Sequence, residues 1–149
     1  MKKLFLLATP LLLLCFFLPQ NTHAMKVKKF KHSYYGTWEN TWSSYGTPGN
    51  TGYIEIKIKK IKKTGKIKDA HIWFSNTGTY MQAHGKIKKV NGVKQITLHY
   101  EENGWDYDDY VFTGTITAAA ISGDYDHYST YYSYEPYSWG GTAELTNQQ

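Results

Sequence analysis

From residue 33 onward apolar and polar positions alternate with a period of two, and turn residues return about every ten positions. In "YIEIKIKKI", Ile54, Ile56 and Ile58 share one face, with Glu55, Lys57 and Lys59 on the other. The same reading predicts strands over 33–42, 53–61, 66–74, 80–90, 94–102, 109–117, 119–129 and 139–146. Asn91-Gly92 is the strongest short hairpin signal, and Pro136 fits a loop because proline cannot donate to a ladder. Helix signals are nearly absent. The pattern predicts an all-β chain, an eight-stranded antiparallel up-and-down barrel whose closure removes exposed edges. A two-sheet β-sandwich satisfies the same alternation and stays open.

The first residues read differently. "MKKLFLLATPLLLLCFFLPQNTHA" has two lysines, a short apolar run broken by Pro10, and small residues before Met25. That is the build of a secretory signal peptide cleaved after Ala24. The run is shorter than the ~20 residues a spanning helix needs. The only cysteine, Cys15, lies inside it, and Leu14 is not the small residue that lipidation at Cys15 would want. The expected organisation is a signal peptide over 1–24, a loose basic leader over 25–32 and one β-barrel domain over 33–149. The product is expected in the periplasm or medium, without a thiol or disulfide.

Charge is unevenly distributed. The basic residues are all lysine, and fifteen of the 17 lie in residues 25–94 with only Glu39, Glu55 and Asp69 as acids. Residues 95–149 hold nine acids and no lysine. Mutual attraction between neighbouring strands of the two halves is the expected outcome. Without arginine's planar fork, a nucleic-acid partner is not expected.

Gly36-Thr37-Trp38 early in the chain, "FTGTI" at 112–116 and "GTAEL" at 141–145 resemble the calycin barrels, lipocalins and avidins. The resemblance is architectural, and no lysine or arginine follows Lys94 to lie over the tryptophan as lipocalins arrange it. It implies a cup open at one end, holding a small, mainly apolar molecule, with Trp38 packed at the closed end.

Trp38 and Trp42 have the same parity as Tyr34 and Gly36, which predicts one shared strand face. Gly36 and Trp38 read as structural. With 14 tyrosines and 5 tryptophans the chain has more aromatics than its core needs, and the surplus points to a contact surface. Aromatics in or beside turns are the natural ligand contacts: Trp42, Tyr45, Trp73, Trp105, Tyr107, Tyr131, Tyr132 and Trp139.

Asp106, Asp108 and Asp109 are spaced loosely like a calcium loop, but Thr117 stands where an EF-hand requires glutamate. The histidines form no ligand motif, and no catalytic triad signature, P-loop or dinucleotide fingerprint is present. No enzyme activity, cofactor or metal is expected. The expected function is a secreted or periplasmic, non-enzymatic binding protein holding a small apolar or amphipathic ligand in an aromatic-lined barrel. The alternatives are a protein-interaction module, such as an inhibitor of a secreted enzyme, and a carbohydrate-binding surface. No membrane span is expected.

Overall fold

The computed structural model describes residues 27–44, 48–101, 108–129 and 137–148. The expected signal peptide lies outside the described residues, as do Tyr45, Trp105, Asp106, Tyr107, Tyr131 and Tyr132. A single turn of 3-10 helix, Val27–Phe30, precedes eight strands. These are β1 (Ser33–Ser43), β2 (Thr51–Ile61), β3 (Lys66–Phe74), β4 (Tyr80–Val90), β5 (Val93–Glu101), β6 (Asp108–Ile116), β7 (Ala120–Ser129) and β8 (Tyr137–Gln148). Each pairs antiparallel with the next, and β8 returns to β1 over Ser33–Gln148 to Ser43–Trp139, closing the barrel. Closure decides against the sandwich. Among the described residues no helix is long and apolar enough to cross a membrane, which says nothing of strands.

The alternation becomes an inside and an outside. Ile54, Ile56, Ile58, Ile72, Phe74, Ile96, Leu98, Phe112, Ile116, Ile121 and Leu145 are all buried. The interior is graded along its axis. Toward the start of β1 it is aliphatic, with Ile58, Ile67, Ile87, Ile96, Ile121 and Leu145. Toward the opposite end, from which the 44–50, 75–79, 102–107 and 130–136 connections leave, it is aromatic.

Two expectations for the closed end need correction. Residues 27–30 are not a loose leader. Phe30 is fully buried and joins the core, and the Ile58 N–H donates to the His32 carbonyl just beyond it at 3.0 Å. One large aromatic recovers enough apolar contact to order a short basic segment. Trp38 does not plug this end either. It lies in the aromatic half, and Phe30 and Tyr34 fill the aliphatic one, the Tyr34 hydroxyl donating to the Thr117 carbonyl at 3.1 Å. Burial pushes the Tyr34 phenol up to about 12.

A one-residue irregularity re-aims part of β1. Asn40 pairs with Gly141 and Trp42 with Gly140, so Thr41 is the extra residue of a β-bulge. Because strand side chains alternate, one inserted residue turns everything after it to the other face. Trp42 therefore stands outside, 41% exposed, rather than sharing the face of Trp38.

Closure also overturns the expected pairing of charge. The lysine-bearing strands β2 to β5 are consecutive around the wall, so lysines neighbour lysines. Among the described residues the only lysine–carboxylate pair is Lys57–Glu55, two apart on one strand, at 3.1 Å.

Hairpin chemistry follows the sequence where expected. Asn91 and Gly92 take φ of 49° and 87°, which a type I′ turn between β4 and β5 requires. Where β6 and β7 approach, Gly114 pairs with Gly123, and a Cβ on Gly123 would stand 2.2 Å from the Thr113 carbonyl oxygen.

Candidate functional site

The aromatic half of the interior is a continuous set of ring contacts. Trp38 meets Phe74 and Tyr125 edge-on, each at 6.0 Å. Phe74 lies 5.4 Å from Tyr125 and 6.0 Å from Tyr100, and Tyr100 continues to Tyr110 at 5.1 Å. Tyr110 stacks on His127 at 4.0 Å, and Trp139 closes the set against His127 and Tyr125 at 5.0 and 5.7 Å. These rings come from β1, β3, β5, β6, β7 and β8, so they cross the lumen and pack it. Edge-on and offset contacts at these separations are the favourable aromatic geometries. The Tyr125 hydroxyl donates to Asn40 Oδ1 at 2.5 Å. Burial pushes the Tyr100 phenol well above its ordinary range, with the phenols of Tyr110 and Tyr125 adding to it.

The accessible aromatic surface lies on the outer wall. Tyr35, Glu55, Trp73 and Tyr80 are successive lateral partners across β1, β2, β3 and β4, all facing outward. Tyr53, 54% exposed, stacks on Tyr35 at 5.7 Å with only 16° between the rings. Trp73 and Tyr80 tilt together at 6.3 Å.

Between the two ring pairs sits the Glu55 carboxylate. Ser33 donates to Oε1 and the Tyr80 hydroxyl to Oε2, while Lys57 donates to the Tyr80 oxygen at 2.7 Å and lies 4.3 Å from its ring centre. Partial burial pushes the Glu55 carboxyl up, but hydrogen bonds from Ser33, Tyr80 and Lys57, with the lysine charge, outweigh it and hold it below its ordinary value. The same contacts, led by the bond to Tyr80, raise the Lys57 ammonium. The result is an ionised acceptor flanked by flat apolar faces.

Beside this row, a groove of about 530 Å³ runs over β8, β1 and β2. Its walls carry the hydroxyls of Thr37, Thr51 and Thr142 and the carboxylates of Glu39 and Glu144, and Tyr53 forms one edge. Gly52 in its floor leaves no room for a side chain, since a Cβ there would meet Trp38 Nε1 at 2.7 Å. Trp38 Nε1 itself is buried without a hydrogen-bond partner among the described residues.

The nominated aromatics that the structure describes do not converge. Trp73 belongs to the outer row. Trp42 lies elsewhere on the outside, where a Cβ on Gly140 would meet its Nε1 at 2.7 Å and Asp126 Oδ1 at 2.8 Å. Trp139 faces inward at the rim of the aromatic layer. The row's other members, Tyr35, Tyr53, Glu55 and Tyr80, escaped the sequence reading, which looked for aromatics near turns. The available signal was an aromatic at an outward parity in each of four neighbouring strands. Among the described residues no group of three or more His, Cys, Asp or Glu side chains could hold a metal ion.

Fold and wall together define a class: a closed eight-stranded antiparallel up-and-down barrel, of the architecture calycins share, with an aromatic cluster buried inside it. Comparison with known protein families, curated proteins and solved structures finds no match.

Proposed function

We propose that the protein is an exported, non-enzymatic binding protein that takes an amphipathic ligand of the sugar class on its outer wall. The observation that carries this reading is the Tyr35–Tyr53 stack standing at the edge of a groove walled by threonine hydroxyls and carboxylates. Sugar rings present an apolar face of C–H bonds and a rim of hydroxyls. Tyrosine faces suit the first, and carboxylate and hydroxyl oxygens suit the second. Glu55, held ionised, serves as an acceptor at pH 7 and is ill suited to donate a proton.

The test is calorimetric titration with a panel of neutral oligosaccharides, read in parallel by tryptophan fluorescence. Tyr53→Ala should weaken binding at least about tenfold, equivalent to ~1.4 kcal/mol. A second reading, a small apolar ligand within the barrel, draws on Trp139, partly buried at the loop-bearing rim. Binding of an apolar dye or fatty acid that is insensitive to Tyr53→Ala but lost in Trp139→Ala would transfer the function there. If no small ligand is bound and the protein instead captures a secreted enzyme, the interaction-module alternative replaces both.

A further inference from the structure

The basic side of the barrel is built against its own stability. Lys66 lies directly opposite Lys86 on the β3–β4 pair, and Lys89 directly opposite Lys94 on β4–β5. Like charges in opposite positions of a sheet repel and destabilise it. Asp69, the carboxylate of β3, lies opposite Lys60 in the β2–β3 register without an ion pair to it, and its Oδ1 is 3.6 Å from His71 Nδ1. Among the described residues none of the four lysines Lys66, Lys86, Lys89 and Lys94 lies within ion-pair distance of a carboxylate.

Two further features at this place say what kind of surface the cluster fits. A groove of about 370 Å³ opens on the same wall, ringed by Lys66, Lys86 and Lys88 with the hydroxyls of Thr64 and Thr97, its floor formed by Gly85 and Ile87. Three ammonium groups and two hydroxyls around one concavity fit a phosphate monoanion or diester. At the adjoining tip of the β4–β5 hairpin, Val90 and Val93 face each other and are 39% and 50% exposed. Two apolar side chains at a tight turn, directly followed by lysines on both strands, form a small wedge with charge behind it.

We propose that this end of the barrel docks on an anionic phospholipid bilayer, with headgroup phosphates in the lysine groove and the Val90–Val93 tip in the interfacial layer. Lysine suits this role as a mobile point charge that needs no fixed phosphate orientation. The apolar tip gains nothing on a nucleic acid or a polar glycan, but gains burial where headgroups overlie acyl chains. Each lysine brought to such a surface raises affinity roughly fivefold, and salt weakens the attraction. The groove on β8, β1 and β2 shares no lining residue with the lysine groove and stays free for its own ligand.

The experiment is co-sedimentation of the exported protein with phosphatidylcholine vesicles, with and without one quarter phosphatidylglycerol, across a salt series. Binding is expected to the anionic vesicles, to fall with salt, and to be at least about tenfold weaker on neutral ones. Lys66→Gln, Lys86→Gln and Lys88→Gln together should reduce it by about a hundredfold, while thermal stability holds or rises as the repulsion is relieved. Val90→Ser with Val93→Ser should weaken vesicle binding several-fold and leave retention on soluble polyphosphate unchanged. Equal binding to neutral and anionic vesicles, no vesicle binding at low salt, or indifference to the valine changes would each overturn the proposal. Tighter binding to duplex DNA than to the anionic vesicles would do the same.

Discussion

Trp38 and Trp42, four residues apart on β1, face opposite sides of the barrel wall. Trp38 is packed between Phe74 and Tyr125, whereas Trp42 lies outside against Gly140. The Thr41 bulge separates them, and the two indoles should differ sharply in energetic weight. Trp38→Ala should cost about 3–5 kcal/mol, as large aromatic truncations in cores do. Trp42→Ala, at a half-exposed position, should cost no more than about 1 kcal/mol. Denaturant unfolding of both variants measures this, and near-equal losses would show that Thr41 does not turn the strand.

Gly36 is required by packing between strands rather than by its own dihedral angles. A Cβ there would stand 1.8 Å from the Glu144 carbonyl oxygen on β8. Gly36→Ala must therefore push β1 away from β8 at the seam that closes the barrel, at a cost of about 1–3 kcal/mol or more. The shift should appear in the unfolding midpoint and as faster amide exchange on β1 and β8. A neutral Gly36→Ala would mean the seam is looser than its register implies.

Acid and alkali should probe opposite faces of one strand pair, Glu55 outside and Tyr34 inside. The folded Glu55 carboxyl lies below its ordinary value, so its stabilisation is present above roughly pH 4.5 and is lost as pH falls through the folded value. Glu55→Gln should flatten the acid limb of the stability curve and leave neutral stability little changed, since the site is partly solvated. Tyr34 runs the other way. Its folded pKa is raised from 10.0 to about 12, so its contribution is full below pH 10 and is lost as pH rises through 12. Tyr34→Phe should flatten the alkaline limb at a cost of about 1 kcal/mol for the hydrogen bond to Thr117. An unchanged alkaline limb would show that another phenol controls it.

Export is testable without reference to the barrel. Expression of the full sequence should yield a product beginning at Met25, without the chain's only cysteine, as read by intact mass. A product beginning at Cys15 and carrying acyl chains would replace the secretory reading with a lipoprotein.

Period-two alternation is local information, and it was enough to place eight strands within about two residues and to put Ile54, Ile56 and Ile58 on the buried face, though not to find Phe30, Ile67 or Ile87. Asn91-Gly92 likewise declared its turn, because both residues tolerate positive φ where others resist it. What alternation cannot carry is register between distant segments. Ser33 meets Gln148 across the whole domain, and only that pairing separates a barrel from a sandwich. Nor does a bulge leave a mark in the pattern, so Trp42 was read onto the wrong face. Phe30 looked isolated in a basic stretch because the core it enters is assembled from distant strands. The outer row and the lysine groove arise in the same way. Each strand supplies one or two side chains, and only the register between neighbouring strands sets Tyr35 beside Tyr53, or Lys66 opposite Lys86. Local periodicity determined which residues turn inward, and long-range strand pairing decided which of them, and which of the outward ones, meet.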